Sequence, residues 1–507
     1  MHAAPRAPSI PTFAEQPLAS QSPRSLLGPL AILPSVFLSG IGYVCDLMVL
    51  TDIGFAWMSA CCAFLFMFEA WHFRRRQGWG ALTMHFGILI WFCHDYFTHW
   101  FNNGPWCETY PHAMHTIAWM AFLHCLFVTF MTLGLALRIP DRAIRWIHRY
   151  PEPSNPNILL WSAVGTFVLN LGFNLVFANY TDLYSLFWSL FFGGRTHNVS
   201  LSVGFTGNLN TSASAYLTLL PDLIRLGGIM GAAYAVFAPA PMTSKITAIL
   251  VWIYSLLLAY GSGTRGQVVS QGLPMLIFLT IHTLNNPRFL KTALIAAGVI
   301  VGALVIMIQI QTYFRSQTLN ASIQDVEMVE LQGNTMFSEA LDSYQVIPDQ
   351  KPFFHNRYLG EGALRAIPQM VFWFAIHPIP RPLWKGKPID PAWAARAEDG
   401  AYDSGSHQGT TSSQGLVGAW YFRFGLAGVV EGGILMGWLF AWCERMMRSL
   451  QLDRNPPLRS LLVIFLLLTL LLFYRDIVYL TVWPAILAFG AMGIMVRYFI
   501  QGKTHRG

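Results

Sequence analysis

The sequence predicts an all-α polytopic membrane protein of about twelve transmembrane helices, with one large extracytoplasmic loop. Three observations predict it. Apolar runs of about 20 residues recur along the chain, each long enough to cross a hydrocarbon core as a helix. Charged residues are only 11% of 507, against about 25% in soluble domains. Residues 315–412 break the apolar pattern with about a hundred residues of mixed, charged sequence.

Residues 1–25 are rich in Pro, Ala and Ser and read as a disordered tail. No signal peptide is expected, because no small-x-small cleavage site follows the first apolar run. Spans are expected near 26–44, 47–70, 81–101, 113–137, 157–177, 213–237, 244–260, 267–284, 292–314, 413–442, 458–473 and 477–500. The chain then divides into a nine-helix membrane region (26–314), the loop (315–412), a three-helix region (413–500) and a tail (501–507). No solenoid or propeller repeat is visible.

Lys and Arg set the orientation. Arg74, Arg75, Arg76, Arg138, Arg142, Arg145, Arg149, Lys245, Arg288, Lys291, Arg445, Arg448, Arg454 and Arg459 fall in alternate connections, and both tails add more. That side should be the cytoplasm, with both termini on it. The loop then faces outward. The net charge of +7 follows from these connections and gives no reason to expect nucleic acid.

The basic residues that the sorting rule leaves over are the informative ones. They include Arg265, Arg381, Lys385, Lys387, Arg423 and Arg475. An Arg inside or beside a membrane helix is costly and is a functional candidate. Snorkelling, or pairing with a neighbour such as Asp476 for Arg475, explains any one of them. A shared anionic ligand at the outer face explains the set.

The loop is polarised. Six acids and no bases lie from Asp325 to Asp349; seven bases and two acids lie from Lys351 to Arg396. The basic half carries Trp373, Trp384 and Trp393, whose flat faces suit sugar rings. At its centre Pro380 and Pro382 hold Arg381 on a stiff backbone, with Lys385 and Lys387 just beyond. Arg offers phosphate two parallel donors. Residues 358–376 are apolar enough to lie against the outer leaflet as a helix, kinked at Pro368. Upstream, Gly261-Ser262-Gly263-Thr264-Arg265-Gly266 leads into a span, where helix N–H groups and Arg265 suit an anion. It is not a nucleotide P-loop, since the Gly-Lys-Ser/Thr ending is absent.

Gly261 to Gly272, the Ile379-Pro380-Arg381 segment with Trp384 and Lys387-Pro388, the run Tyr421-Phe422-Arg423-Phe424-Gly425-Leu426-Ala427-Gly428, and Arg475-Asp476 occur in this order. In this the sequence resembles the oligosaccharide repeat-unit polymerases of the O-antigen polymerase type, mainly over residues 244–500. It departs from them at Ala419, where members often carry an acid, and at Arg423, where they often carry Asn. The resemblance implies a GT-C-like membrane glycosyltransferase on the periplasmic face of a bacterial inner membrane. Donor and acceptor would be polyprenyl-diphosphate-linked oligosaccharides, as in O-antigen, capsule or exopolysaccharide synthesis, with a chain-length regulator as a further partner. No cofactor and no metal is implied. Arg381, Arg265 and Arg475 would stabilise the diphosphate leaving group. Glu361, His407 and Glu431 are candidates for the base that takes the acceptor hydroxyl proton. Lys385, Lys387, Arg423, Trp384, Trp373 and Trp393 would hold substrate.

Two other classes remain open on residues alone. One is a metal enzyme, since His85, His94, Asp95, His99, Glu108, His112, His115 and His124 crowd the third and fourth spans. Polar lining of a helix pair is the blander account. The other is a transporter or flippase of lipid-linked sugars, against which stand the large loop and the lack of similar halves. Cys45 and Cys107 both fall toward the outer face, where a bridge is conceivable.

The charge pattern yields a direct test. A compartment reporter fused after residue 350 should signal outside the cytoplasm, and one fused after residue 450 inside it. The same signal from both fusions would overturn the orientation.

Overall fold

The computed structural model describes residues 26–73, 78–104, 114–150, 157–177, 220–261, 265–322, 366–376, 415–450 and 458–474, together with Ile379, Trp384 and Gly490. All elements among them are helical. In chain order they are α1 (Leu27–Val44), α2 (Met48–Trp71), α3 (Trp79–Ile88), a π turn (Leu89–Cys93), α4 (His94–Asn103), α5 (Met114–Ala136) and α6 (Arg145–Arg149). Then come α7 (Asn157–Phe177), α8 (Leu220–Phe237), α9 (Met242–Gly261), α10 (Arg265–Asn285), α11 (Leu290–Ser322), α12 (Ala366–Ile376), α13 (Gly415–Ser449) and α14 (Leu458–Phe473).

Among the described residues six stretches are helical, long and apolar enough to cross a membrane: Leu27–Val44, Met48–Trp71, Met114–Ala136, Met242–Tyr260, Pro287–Ile310 and Phe424–Ser449. Shorter apolar helices accompany them. Each expected span from 26–44 to 458–473 coincides with a helix or a broken helix. The last, 477–500, lies outside the described residues except for Gly490. The third span is not one α-helix. Its π turn inserts between α3 and α4 and turns Trp91, Phe92 and Cys93 into the core.

The helices pack in two groups. In the first, α5 is the hub, packed on α1, α2 and α13, while α3 and α14 close around α13. Burial follows position: 78% of the α5 window is buried, against 11% for the window from Pro287 to Ile310 at the start of α11. Glycines set the central contact. A Cβ added at Gly437 would stand 1.8 Å from the Met131 carbonyl oxygen, and one at Gly134 would stand 2.1 Å from that of Ile434. One at Gly433 would lie 2.7 Å from the Phe127 oxygen. Gly433 and Gly437 are four apart and share a face, so the backbones of α5 and α13 touch directly.

The second group comprises α7 to α11. Apolar residues alone have no preference for protein over lipid, so polar pairs and small residues join these helices. Tyr234 donates to Asn157 at 2.7 Å, Tyr254 to Asn170 at 2.9 Å, and Ser255 to Gln271 at 2.8 Å. Gly228 and Gly231 of α8 make room for Ser255 and for the Ala248 carbonyl of α9. Packing of α8 and α10 against α14 joins the two groups.

At the Arg-rich end, charges tie helix ends together. The Glu444 carboxylate accepts the Ala81 N–H at 3.0 Å, capping in trans a helix that has no side-chain cap of its own. The same carboxylate pairs with Arg448. Buried Arg445 donates to the Ile139 carbonyl and pairs with Asp141.

The glycine contact predicts Gly437→Ala to destabilise by about 1–3 kcal/mol, because the atom it meets is backbone. Gly298→Ala on α11, where nothing lies within 4 Å, should leave stability unchanged. Thermal unfolding of the two purified variants compares them directly.

Candidate functional site: a hairpin within α13

The expected span at 413–442 is a helix broken at Gly425, and this corrects the sequence reading. Gly425 has φ 63° and ψ −155°, a conformation essentially restricted to glycine. The chain reverses there. The Trp420 ring lies where a Gly432 side chain would be, 2.3 Å from an added Cβ. In an unbroken helix those positions would be about 18 Å apart. The Trp420 carbonyl oxygen likewise crowds Gly428, at 2.6 Å from an added Cβ. Residues 415–424 therefore form a half-helix folded back on residues 426–449. The spanning stretch begins at Phe424, not at 413.

The paired contacts fix the register of the two limbs. Trp420 faces Gly432 and Phe424 faces Gly428, so the turn centres near Leu426. Glu431 then stands level with Tyr421, within one helical turn of the level of Arg423. Two of the sequence-nominated residues thus come to one end of the hairpin. The Arg423 backbone is helical, two residues before the turn, and the half-buried Glu431 lies on the facing limb.

Aromatic rings surround the tip. Trp373 of α12 stacks on Phe424, with ring centres 5.8 Å apart and planes at 24°. Trp119 of α5 meets Tyr421 edge-on at 5.9 Å, Tyr43 at 5.0 Å and Phe122 at 5.3 Å. On the rim, exposed His115 and Asp46 pair at 3.2 Å. Helix α12 leaves Val371 and Phe372 exposed, an apolar face beside the tip. Its described part runs from Ala366 to Ile376; the rest of the expected helix, 358–365, lies outside the described residues.

The half-helix is anchored at its base. The Leu416 N–H donates to the Tyr474 carbonyl at 3.1 Å. Tyr474 is wholly buried, and its hydroxyl donates to the Met84 carbonyl at 2.8 Å. A Cβ added at Gly87 would meet its ring at 2.6 Å. Tyr474, just past α14, is therefore locked inside the bundle.

Of the other nominated residues, Arg265 is the first described residue of α10, and 262–264 before it lie outside the described residues. Trp384 is exposed at 36%. Arg381, Lys385, Lys387, Trp393, Glu361, His407 and Arg475 lie outside the described residues, although Arg475 directly follows the buried Tyr474. Ala419, where an acid was looked for, is buried in the half-helix at 1% exposure. The sequence reading passed over Tyr43, Trp119, Trp420 and Tyr421. Glycine between two bulky apolar residues, Phe424 and Leu426, was the signal for the turn that gathers them.

Among the described residues the histidines do not converge; Glu108, His112 and the side chains of Asp95 and His99 lie outside them. His85 and His124 each bond a carbonyl one turn back in their own helix, at 2.8 and 2.7 Å, and His115 meets Asp46. Among the described residues no three of His, Cys, Asp and Glu gather as metal ligands would. Cys45 is an exposed free thiol, and Cys107 lies outside the described residues.

The arrangement defines a class: a helical protein with several helices of membrane-spanning length and a broken helix whose tip is ringed by aromatics. No family model, characterised protein or solved structure matches the chain.

Gly425→Ala should force a residue with a Cβ into the reversed turn, costing about 1–3 kcal/mol. A lowered unfolding temperature is the expected result, together with a shift in tryptophan emission as Trp373 separates from Phe424. An unchanged protein would mean that the turn tolerates a side chain.

Proposed function

We propose that the chain is a membrane-embedded polysaccharide polymerase. It would join polyprenyl-diphosphate-linked repeat units on the periplasmic face of a bacterial inner membrane, in O-antigen, capsule or exopolysaccharide synthesis. The observation that carries this reading is the hairpin in α13. It brings the Arg423 backbone within about one helical turn of the level of Glu431, on a hairpin where Trp373 stacks on Phe424 and Trp119 meets Tyr421. A cation, a carboxylate and flat apolar faces are what a charged glycolipid head requires. The polar loop of residues 315–412, with Arg381, Lys385 and Lys387, joins α11 to the base of this hairpin.

The reaction transfers the growing glycan. The acceptor hydroxyl oxygen bonds to the anomeric carbon of the donor, and the bond from that carbon to the diphosphate oxygen breaks. The hydroxyl proton goes to a base, for which Glu431 is the candidate on the hairpin. The diphosphate leaves with its negative charge, which fixed guanidinium groups stabilise. Arg381, Arg265 and Arg475 fill that role in this proposal. No nucleotide or external energy source enters, since the diphosphate bond is itself the activated one.

A transporter of lipid-linked sugars is the second reading. Broken helices also build transporter sites, where half-helix ends meet a charged substrate. The two readings differ in what accumulates when the site fails.

Loss of a charged donor at the developing negative charge should cost about 3 kcal/mol, or roughly a hundredfold in rate. Arg381→Ala, Arg381→Lys and Arg423→Ala are expected to abolish the polymer ladder on a gel at unchanged membrane protein level. Lys385→Arg should be tolerated. Lipid-linked single units should build up on the outer face. Normal polymer from Arg381→Lys would refute bidentate diphosphate recognition, and single units trapped on the cytoplasmic face would favour the transporter.

A further inference from the structure

A second charged site lies at the opposite, Arg-rich end of the bundle. After α5 the chain crosses the end of the bundle as a strap, residues 137–150, that contains α6. Three contacts tie the strap to α13 and α14. Trp442 donates to the Ala143 carbonyl at 2.8 Å, Arg459 to the Tyr150 carbonyl at 2.6 Å, and Arg445 holds the Ile139 carbonyl and the Asp141 carboxylate. Ile139, Ile144 and Ile147 are buried beneath it. The strap is thus held through its backbone and its apolar face, and none of these ties uses Arg142, Arg145 or Arg149.

Those three arginines, with Trp146 and Tyr150, line a cleft of about 500 Å³. All three are exposed. Asp141, beside Arg142, is engaged by Arg445, and Glu152, three residues past Arg149, lies outside the described residues. Among the described residues no carboxylate pairs with Arg142, Arg145 or Arg149. Partial burial, and then the Arg459 guanidinium, push the His148 pKa below its ordinary value. Three guanidiniums carry parallel donors suited to phosphate oxygens. Trp146 lies 6.0 Å from Trp442, partly exposed, as an indole sits at a headgroup boundary. Exposed Leu137 adds apolar surface at the start of the strap.

We propose that this cleft binds the phosphate of an anionic phospholipid, with the arginines on the headgroup and Trp146 at the acyl boundary. A soluble phosphate would use the arginines but not the indole beside an apolar helix surface. Basic pockets at the ends of membrane helices take anionic lipids by the same chemistry.

The test uses the purified full chain in uncharged detergent, titrated with fluorescent phosphatidylglycerol. Saturable binding is expected, displaced by unlabelled phosphatidylglycerol but not by phosphatidylcholine or by inorganic phosphate at equal concentration. The variant Arg142→Gln/Arg145→Gln/Arg149→Gln should weaken binding at least tenfold while eluting as the wild type does. Trp146→Ala should weaken it several-fold with all charges kept. Arg288→Gln/Lys291→Gln, which removes exposed charges outside the cleft, should bind normally. Equal weakening in that control would reduce the effect to diffuse charge and overturn the site. Displacement by inorganic phosphate would assign the cleft to a free anion instead. Undiminished binding by the triple variant would likewise overturn it, as would its failure to fold if Trp146→Ala folds and binds normally.

Discussion

The direct backbone contact between α5 and α13 is the constraint on which the rest depends. Three glycines, Gly134, Gly433 and Gly437, remove the side chains that would hold these helices apart. Two packed backbones exclude lipid and fix the depth of α13 against the most buried helix of the bundle. With that depth fixed, Glu444 reaches the N-terminus of α3 and Arg445 reaches the strap. At the other end the same seating presents Tyr421 to Trp119. The tip of the hairpin and the cationic end are consequences of one close approach.

The two limbs of α13 do different work. The long limb carries the packing. The short limb, of about ten residues and so about 15 Å, crosses only half a hydrocarbon core. It is supported by the Trp420 ring on Gly432 and by the Leu416 bond to Tyr474. A helix that ends within a bundle must satisfy its terminal N–H groups there. The Tyr474 carbonyl, just past α14, supplies one acceptor.

Much of the fold was legible in the sequence, because apolar runs depend on local composition. The spans from Leu27 to Val44 and from Met48 to Trp71 fall where hydropathy puts them. The break in α13 was not legible: its signal is one glycine in a run that already contains several, and only the positive φ of the folded chain tells Gly425 from Gly428. The π turn at Leu89–Cys93 escaped for a similar reason, since one extra residue in a turn leaves composition unchanged. For the candidate site, Trp373, Arg423 and Glu431 were nominated by residue type. Tyr43 and Trp119 were not, because aromatics within apolar spans look like core until a neighbour gives them a face.

Helix α11 shows what length alone can do. Its 33 residues make a rod of about 50 Å, whereas a hydrocarbon core takes about 30 Å. A rod that crosses such a core continues roughly 20 Å beyond it. Few protein neighbours brace its first part, so the bilayer has a large share in setting its tilt. A change of about 10° would swing the far end by roughly 9 Å. The charged loop is thus mounted on a mast whose lean follows the thickness of the surrounding lipid.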